Sequence, residues 1–145
     1  MLTRRDQQHL ANVLNQVWVD HSGQPTNLEV TFVGEDEIRA LHRDYLQDDS
    51  ATDVITFDLG AAPEGLRVAM IAVCVPVARQ YARQYHVKLH DELRRLVIHG
   101  ALHLLGYDDH TAKAKRQMRY WENKILHMLS KGSLRAQPTA VGLQP

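Results

Sequence analysis

The chain has 145 residues and a mass of 16.5 kDa. That is the size of one domain able to bury a core without disulfide or metal staples. Hydrophobic residues make up 44% and charged residues 23%, which excludes a chain disordered over most of its length. Seventeen Lys and Arg balance seventeen Asp and Glu, which excludes a bulk polycation but leaves room for a local basic surface. The single cysteine, Cys74, cannot form an internal disulfide and fits a reducing compartment. The longest apolar run, Val68 to Ala78, contains a proline and is too short to span a bilayer. With no signal-peptide h-region after the first residues, a cytoplasmic protein without membrane association is expected.

Residues 3–21 read as a helix, with Leu10, Val13, Leu14, Val17 and Trp18 on one apolar face. Thr3 and Asp6 give a capping-box start, and Ser22-Gly23 a stop. Leu28 to Val33 alternates apolar and polar, the pattern of a strand. The acidic run Glu35-Asp36-Glu37 suits the first turn of a second helix, with Ile38, Leu41 and Tyr45 expected inward. Val54 to Leu59 predicts a strand, residues 61–65 a loop, and Val68 to Val75 a strand buried on both faces. Pro76 fits the first turn of a third helix, expected to bury Val77, Ala78, Tyr81, Ala82 and Tyr85. The strongest helical pattern runs over 89–105, ended by Gly106, and a last helix spans about Thr111 to Leu129 with Met118 and Trp121 inward. Residues 1–130 thus predict a single small α+β domain: a short mixed sheet packed with helices, one of them central. Residues 131–145, with Gly, Ser, two Pro and little apolar content, read as a flexible tail.

Chemistry concentrates between residues 99 and 110, where three of the nine histidines fall. His99 and His103 are four apart on the central helix, so their rings stack one turn apart on one face and can grip one metal ion. Gly106 lets the chain turn back, so that a polar side chain three or four residues later closes a third position. Three protein ligands leave a place for water, the open arrangement of a catalytic zinc. Asp109 lies ten residues after His99 and three after Gly106, the offset at which HExxHxxGxxH metalloenzymes place their third ligand. His110, one residue later, is the alternative third ligand. The general-base Glu of metalloproteases would follow the first His, where this chain has Gly100, and this disfavours peptide hydrolysis.

At these residues the sequence resembles the YbeY family of bacterial endoribonucleases and rRNA maturation factors. The family signature H-G-x-L-H-L-x-G-Y-D-H matches His99 to Asp108, with Asp109 where the usual third His stands and His110 one place late. A second signature matches Ala51-Thr52-Asp53-Val54-Ile55-Thr56-Phe57. The usual family Arg aligns with Leu46, and Arg43, one helical turn earlier, is the candidate substitute. The usual Gly-Asp before the buried strand is Ala69-Met70.

The resemblance implies a zinc-dependent, single-strand-specific endoribonuclease acting in 16S rRNA 3′-end maturation and ribosome quality control. One zinc ion would polarise a phosphoryl oxygen and acidify its bound water. His99, His103 and Asp109 are the expected metal ligands, with Asp108 and Arg43 as candidate catalytic residues. Thr52 and Asp53 either line the cleft or hold the opening of their strand. Arg79, Arg83, Arg94, Arg95, Lys113, Lys115, Arg116 and Arg119 are candidate phosphate contacts. The expected partners are single-stranded RNA or rRNA, the small ribosomal subunit and assembly factors, with no DNA and no membrane. Two other readings stand: a non-catalytic assembly or RNA-binding factor with a structural metal, or a metallohydrolase of another substrate class.

Overall fold

The computed structural model describes residues 2–23, 26–46, 52–61 and 66–131. Eight elements follow in chain order: α1 (Arg4–Ser22), β1 (Thr26–Val33), α2 (Glu35–Leu46), β2 (Val54–Ala61), β3 (Arg67–Cys74), α3 (Val75–Gln84), α4 (Leu89–Leu104) and α5 (Ala112–Lys131). This is the expected element order and the expected α+β class. Past Lys131, the predicted tail lies outside the described residues, as do residues 62–65 of the predicted loop.

Helix α1 begins where the sequence places it. The Asp6 N–H donates to Thr3 Oγ1 at 3.1 Å, and the Thr3 N–H donates to Asp6 Oδ2 at 3.2 Å. These reciprocal bonds satisfy two N-terminal donors that would otherwise lack partners. Gly23, at φ 74°, ends the helix in the left-handed region.

The three strands form one mixed sheet in the order β1-β3-β2. β1 runs parallel to β3, with Val30 opposite Ile71. β2 runs antiparallel to β3, with Thr56 opposite Ile71 and an irregularity between Asp58 and Ala61. The central position of β3 explains its nearly continuous apolar run. Ala69, Ile71, Ala72, Val73 and Cys74 are all fully buried, because helices cover both faces of the sheet.

The larger core lies on one face, where Ile71 and Val73 pack with Leu10, Val13 and Leu14 of α1, Leu93, Leu96 and Val97 of α4, and Met118 and Ile125 of α5. On the other face, Ile38 of α2 closes over Val33, Ile55 and Cys74, with Leu41, Phe57 and Val77 packed around them. Each fully buried Leu, Ile or Val contributes roughly 1.5–3 kcal/mol before the entropy of ordering is subtracted.

Two expectations are corrected here. Tyr45 and Tyr85 do not face inward: they are 66% and 59% exposed. Each falls at the C-terminal end of its helix, past the residues that pack inward, Ile38 and Leu41 of α2 and Ala78 and Ala82 of α3. Tyr45 lies edge-on to Phe57 at 5.1 Å, outside the core.

Gly100 has a packing role. A Cβ there would meet Ile71 Cγ2 and Thr56 Cγ2 at 3.1 Å and Val54 Cγ2 at 3.4 Å. Glycine therefore lets α4 approach the sheet more closely than any other residue would. The position that carries the catalytic Glu in metalloproteases points here into the sheet, where no side chain fits.

Candidate metal centre

The site is built on the last two turns of α4. His99 and His103 stand one above the other, their ring centroids 4.6 Å apart and their planes at 77°. The two Nε2 atoms are 3.0 Å apart. His99 Nδ1 lies 2.5 Å from Glu122 Oε2 on α5. A carboxylate only accepts, so Nδ1 carries the proton and His99 Nε2 is left bare.

The connector after α4 is fixed residue by residue. The Gly106 N–H donates to the His103 carbonyl and the Tyr107 N–H to the Leu102 carbonyl, both at 3.0 Å. This pair of bonds is the Schellman ending, and it requires the left-handed conformation that Gly106 adopts at φ 103°. Tyr107 is then pinned: its hydroxyl lies 2.9 Å from His21 Nε2, and its ring packs near His21 and Trp121. Asp108 Oδ1 accepts the His110 N–H at 3.0 Å, closing a tight turn. Thr111 Oγ1 accepts the Ala114 N–H at 3.0 Å and caps α5.

This path carries Asp109 back to the histidines. One ligand atom from each of His99, His103 and Asp109 lies within 4.8 Å of the others. A tetrahedral ion with bonds of about 2.0–2.1 Å sets its donors roughly 3.3 Å apart, so the three side chains can close on one ion. Among the described residues, His110 is not part of this group; it is exposed at the turn. The geometry therefore brings together the triad favoured by spacing.

The group opens into a cleft of about 310 Å³ lined by Arg95, Lys115, Met118 and Arg119 together with His99, Asp109 and Glu122. Three of the eight candidate phosphate contacts thus share the cleft. Arg94 turns instead to Asp6, 3.8 Å away on α1. Arg79, Arg83, Lys113 and Arg116 are exposed on their helices. Arg95 is held from below: its Nε and Nη2 donate to the two carboxylate oxygens of Glu92 at 3.0 and 2.6 Å. Glu92 is only 3% exposed, so the pair is buried on one side and open on the other. Its carboxylate pushes the Arg95 pKa above the usual guanidinium value.

The remaining candidates lie elsewhere. Asp108 lines a separate hollow of about 380 Å³ with Trp18, His21 and Tyr107, on the α1 side of the connector. Arg43 is exposed on α2 and sits 3.4 Å from Asp44. The Thr52 hydroxyl donates to Asp53 Oδ1 at 3.4 Å, and the Asp53 carbonyl accepts the Cys74 N–H at 2.8 Å. Both residues thus hold the opening of β2, while the Asp53 charge also reaches Arg95 and Tyr81. Glu122 and Glu92 escaped the sequence reading. Each lies inside an ordinary amphipathic helix, and only its burial sets it apart.

The comparisons with known proteins bear on this geometry. A family model described as endoribonuclease YbeY matches residues 2–130. The chain belongs to the endoribonuclease YbeY family. It is 36% identical over 125 residues to "Endoribonuclease YbeY" of Chlorobaculum tepidum, covering 86% of this chain and 89% of that one. It is 40% identical over 99 residues to the protein of the same name from Bordetella pertussis, covering 68% of this chain and 63% of that one. Among solved structures it resembles the solution structure of TM1509 from Thermotoga maritima, with a TM-score of 0.58, 30% identity, and 94% and 91% of the two chains covered. YbeY membership supports an RNA endonuclease role, a hydrolase acting on RNA. No helix among the described residues is long and apolar enough to cross a membrane.

Proposed function

We propose that the chain is a zinc-dependent endoribonuclease that cuts single-stranded RNA, acting on the 3′ end of 16S rRNA and in ribosome quality control. The observation that carries this reading is the convergence of His99, His103 and Asp109, with His99 and Asp109 lining a cleft together with Arg95, Lys115 and Arg119. Two imidazoles and one carboxylate suit zinc and leave a fourth position open. When bound, such an ion supplies Lewis acidity toward a phosphoryl oxygen and an acidified water.

The chain's own residues do the rest. Glu122 fixes the tautomer and tilt of His99, so that Nε2 is the nitrogen offered. Arg95, Lys115 and Arg119 hold phosphate oxygens and set the backbone in place. Arg95 rather than Arg43 supplies the arginine of the site, since it lines the cleft with His99 and Asp109. Asp108 acts by positioning: it fixes the turn that presents Asp109. The domain of residues 1–130 carries the activity in the cytoplasm, with the small ribosomal subunit and its assembly factors as partners.

Two measurements on the purified protein test this. Wild type should hold one zinc per chain; Asp109→Ala should lose half or more of it and His110→Ala none. Wild type should cut an unpaired RNA and spare a duplex, and chelation or His103→Ala should abolish cutting. Zinc-loaded wild type that binds ribosomal subunits but leaves every RNA intact overturns the nuclease reading in favour of an assembly factor. The reverse metal pattern reassigns the third ligand to His110.

A further inference from the structure

A second hollow, of about 360 Å³, is lined by Tyr85, Val87, Glu92 and Arg95. Arg95 also lines the cleft of the metal centre, so one guanidinium borders both. Helix α3 ends with His86 in the left-handed region at φ 57°. The Val87 N–H donates to the Ala82 carbonyl at 3.0 Å and the His86 N–H to the Arg83 carbonyl at 3.4 Å. A residue with a Cβ is disfavoured there, yet the turn is kept. Tyr85 and Val87, on either side of His86, are 59% and 44% exposed.

Charge and shape together name an occupant. The Arg95 fork engages Glu92 through Nε and Nη2, so two of its five N–H donors are used and three, two on Nη1 and one on Nη2, can serve another acceptor. A phosphate is the fitting partner for a fixed guanidinium that also borders a cleft with Lys115 and Arg119. An exposed tyrosine ring beside it offers a flat face to a base. A base paired in a duplex cannot lie on such a ring, whereas an unpaired one can.

We propose that Arg95 and Tyr85 form the seat of the nucleotide next to the cut. Arg95 takes the phosphate that joins it to the cleaved nucleotide, and its base stacks on Tyr85 with Val87 alongside. The inference rests on the RNA reading above and adds to it the direction in which the strand leaves the cleft and a physical reason for single-strand preference.

The test uses the zinc-loaded full chain and a short RNA with one cut site, together with copies in which single nucleotides beside the cut are abasic. Tyr85→Ala should raise KM on the intact RNA about 5- to 150-fold, the range of one lost stacking contact, with kcat within about twofold of wild type. Tyr85→Phe should restore KM, since the ring does the work. One abasic copy should show the same KM rise with wild type, and on that copy Tyr85→Ala should add nothing. Arg95→Lys, which keeps a cation beside buried Glu92, should raise KM on intact and abasic RNA alike. The inference is overturned by an unchanged KM in Tyr85→Ala, or by Tyr85 and abasic effects that multiply. It is likewise overturned if Tyr85→Ala cuts RNA normally but loses ribosome binding, which would make the hollow a protein-docking face. Failure of wild type to cut any unpaired RNA would instead remove the nuclease reading itself.

Discussion

His99 reaches toward the site with one ring nitrogen and is steadied through the other. Glu122, on a different helix and largely buried, accepts from Nδ1 at 2.5 Å. Partners of this kind orient a ligating imidazole and raise its basicity, and their loss typically costs 10- to 100-fold in metal affinity. Glu122→Gln keeps the shape and removes the charge. We expect it to weaken zinc binding by about that factor in a chelator-competition titration, while the melting of the metal-free protein changes little. Equal affinity in Glu122→Gln and wild type would mean that the carboxylate only fills space. His110 and Asp109 differ although both lie near the turn. The Asp108 carboxylate captures the His110 N–H, which fixes the turn and leaves Asp109 as the residue near His99 and His103.

At the scale of elements, α4 depends on a contact that the sequence shows only as a glycine. Adding a methyl at Gly100 brings Cβ to 3.1 Å from both Ile71 and Thr56. The neighbours are β-branched side chains in a packed sheet, and either they or α4 must give by a few tenths of an ångström. Gly100→Ala should cost roughly 1–3 kcal/mol in urea unfolding, and zinc affinity should fall with it because both histidines ride on the same helix. No loss of stability would show that the sheet yields. Helix α1 offers a prediction with a defined pH dependence. Asp6 is held down to about 2 by the Thr3 hydrogen bond first and His90 second. A folded pKa below the unfolded value of 3.8 adds stability above that value and loses it as pH falls toward 2. Asp6→Asn should therefore destabilise the protein at neutral pH by about 1 kcal/mol, after allowance for solvent screening. The difference from wild type should shrink between pH 4 and pH 2, read from urea midpoints. A difference constant over that range would assign the effect to packing.

For the whole molecule, the centre ties elements that are distant in the chain. His99 and His103 belong to α4, Asp109 to the connector, and Glu122 to α5. An ion that binds only this assembled state must stabilise all of it. At a free zinc concentration 100 times the dissociation constant the gain is about 2.7 kcal/mol. For a domain of this size that corresponds to a rise in Tm of roughly 10 °C over the chelated protein. His103→Ala should abolish the zinc-dependent part of the rise. If the melting point ignores zinc, the three side chains do not share an ion.

Much of this molecule was determined locally, and so was legible. The capping box at Thr3 and Asp6, the glycine at position 106, the buried central strand and the pairing of His99 with His103 each depend on residues within a few positions of one another. Short-range sterics and hydrogen bonding decide them. The offset of Asp109 was legible for the same reason: a helix end and a three-residue turn leave little freedom. What required the tertiary structure was everything set by which elements meet. Tyr45 and Tyr85 carry the same apolar pattern as buried residues, yet both lie exposed at the C-terminal ends of their helices. Arg94 and Arg95 are adjacent, yet one faces α1 and the other the cleft. Glu92 and Glu122 look like solvent-facing acids until packing buries them beside Arg95 and His99. Spacing along the chain fixes which residues share a face, whereas only the packed neighbours decide what that face meets.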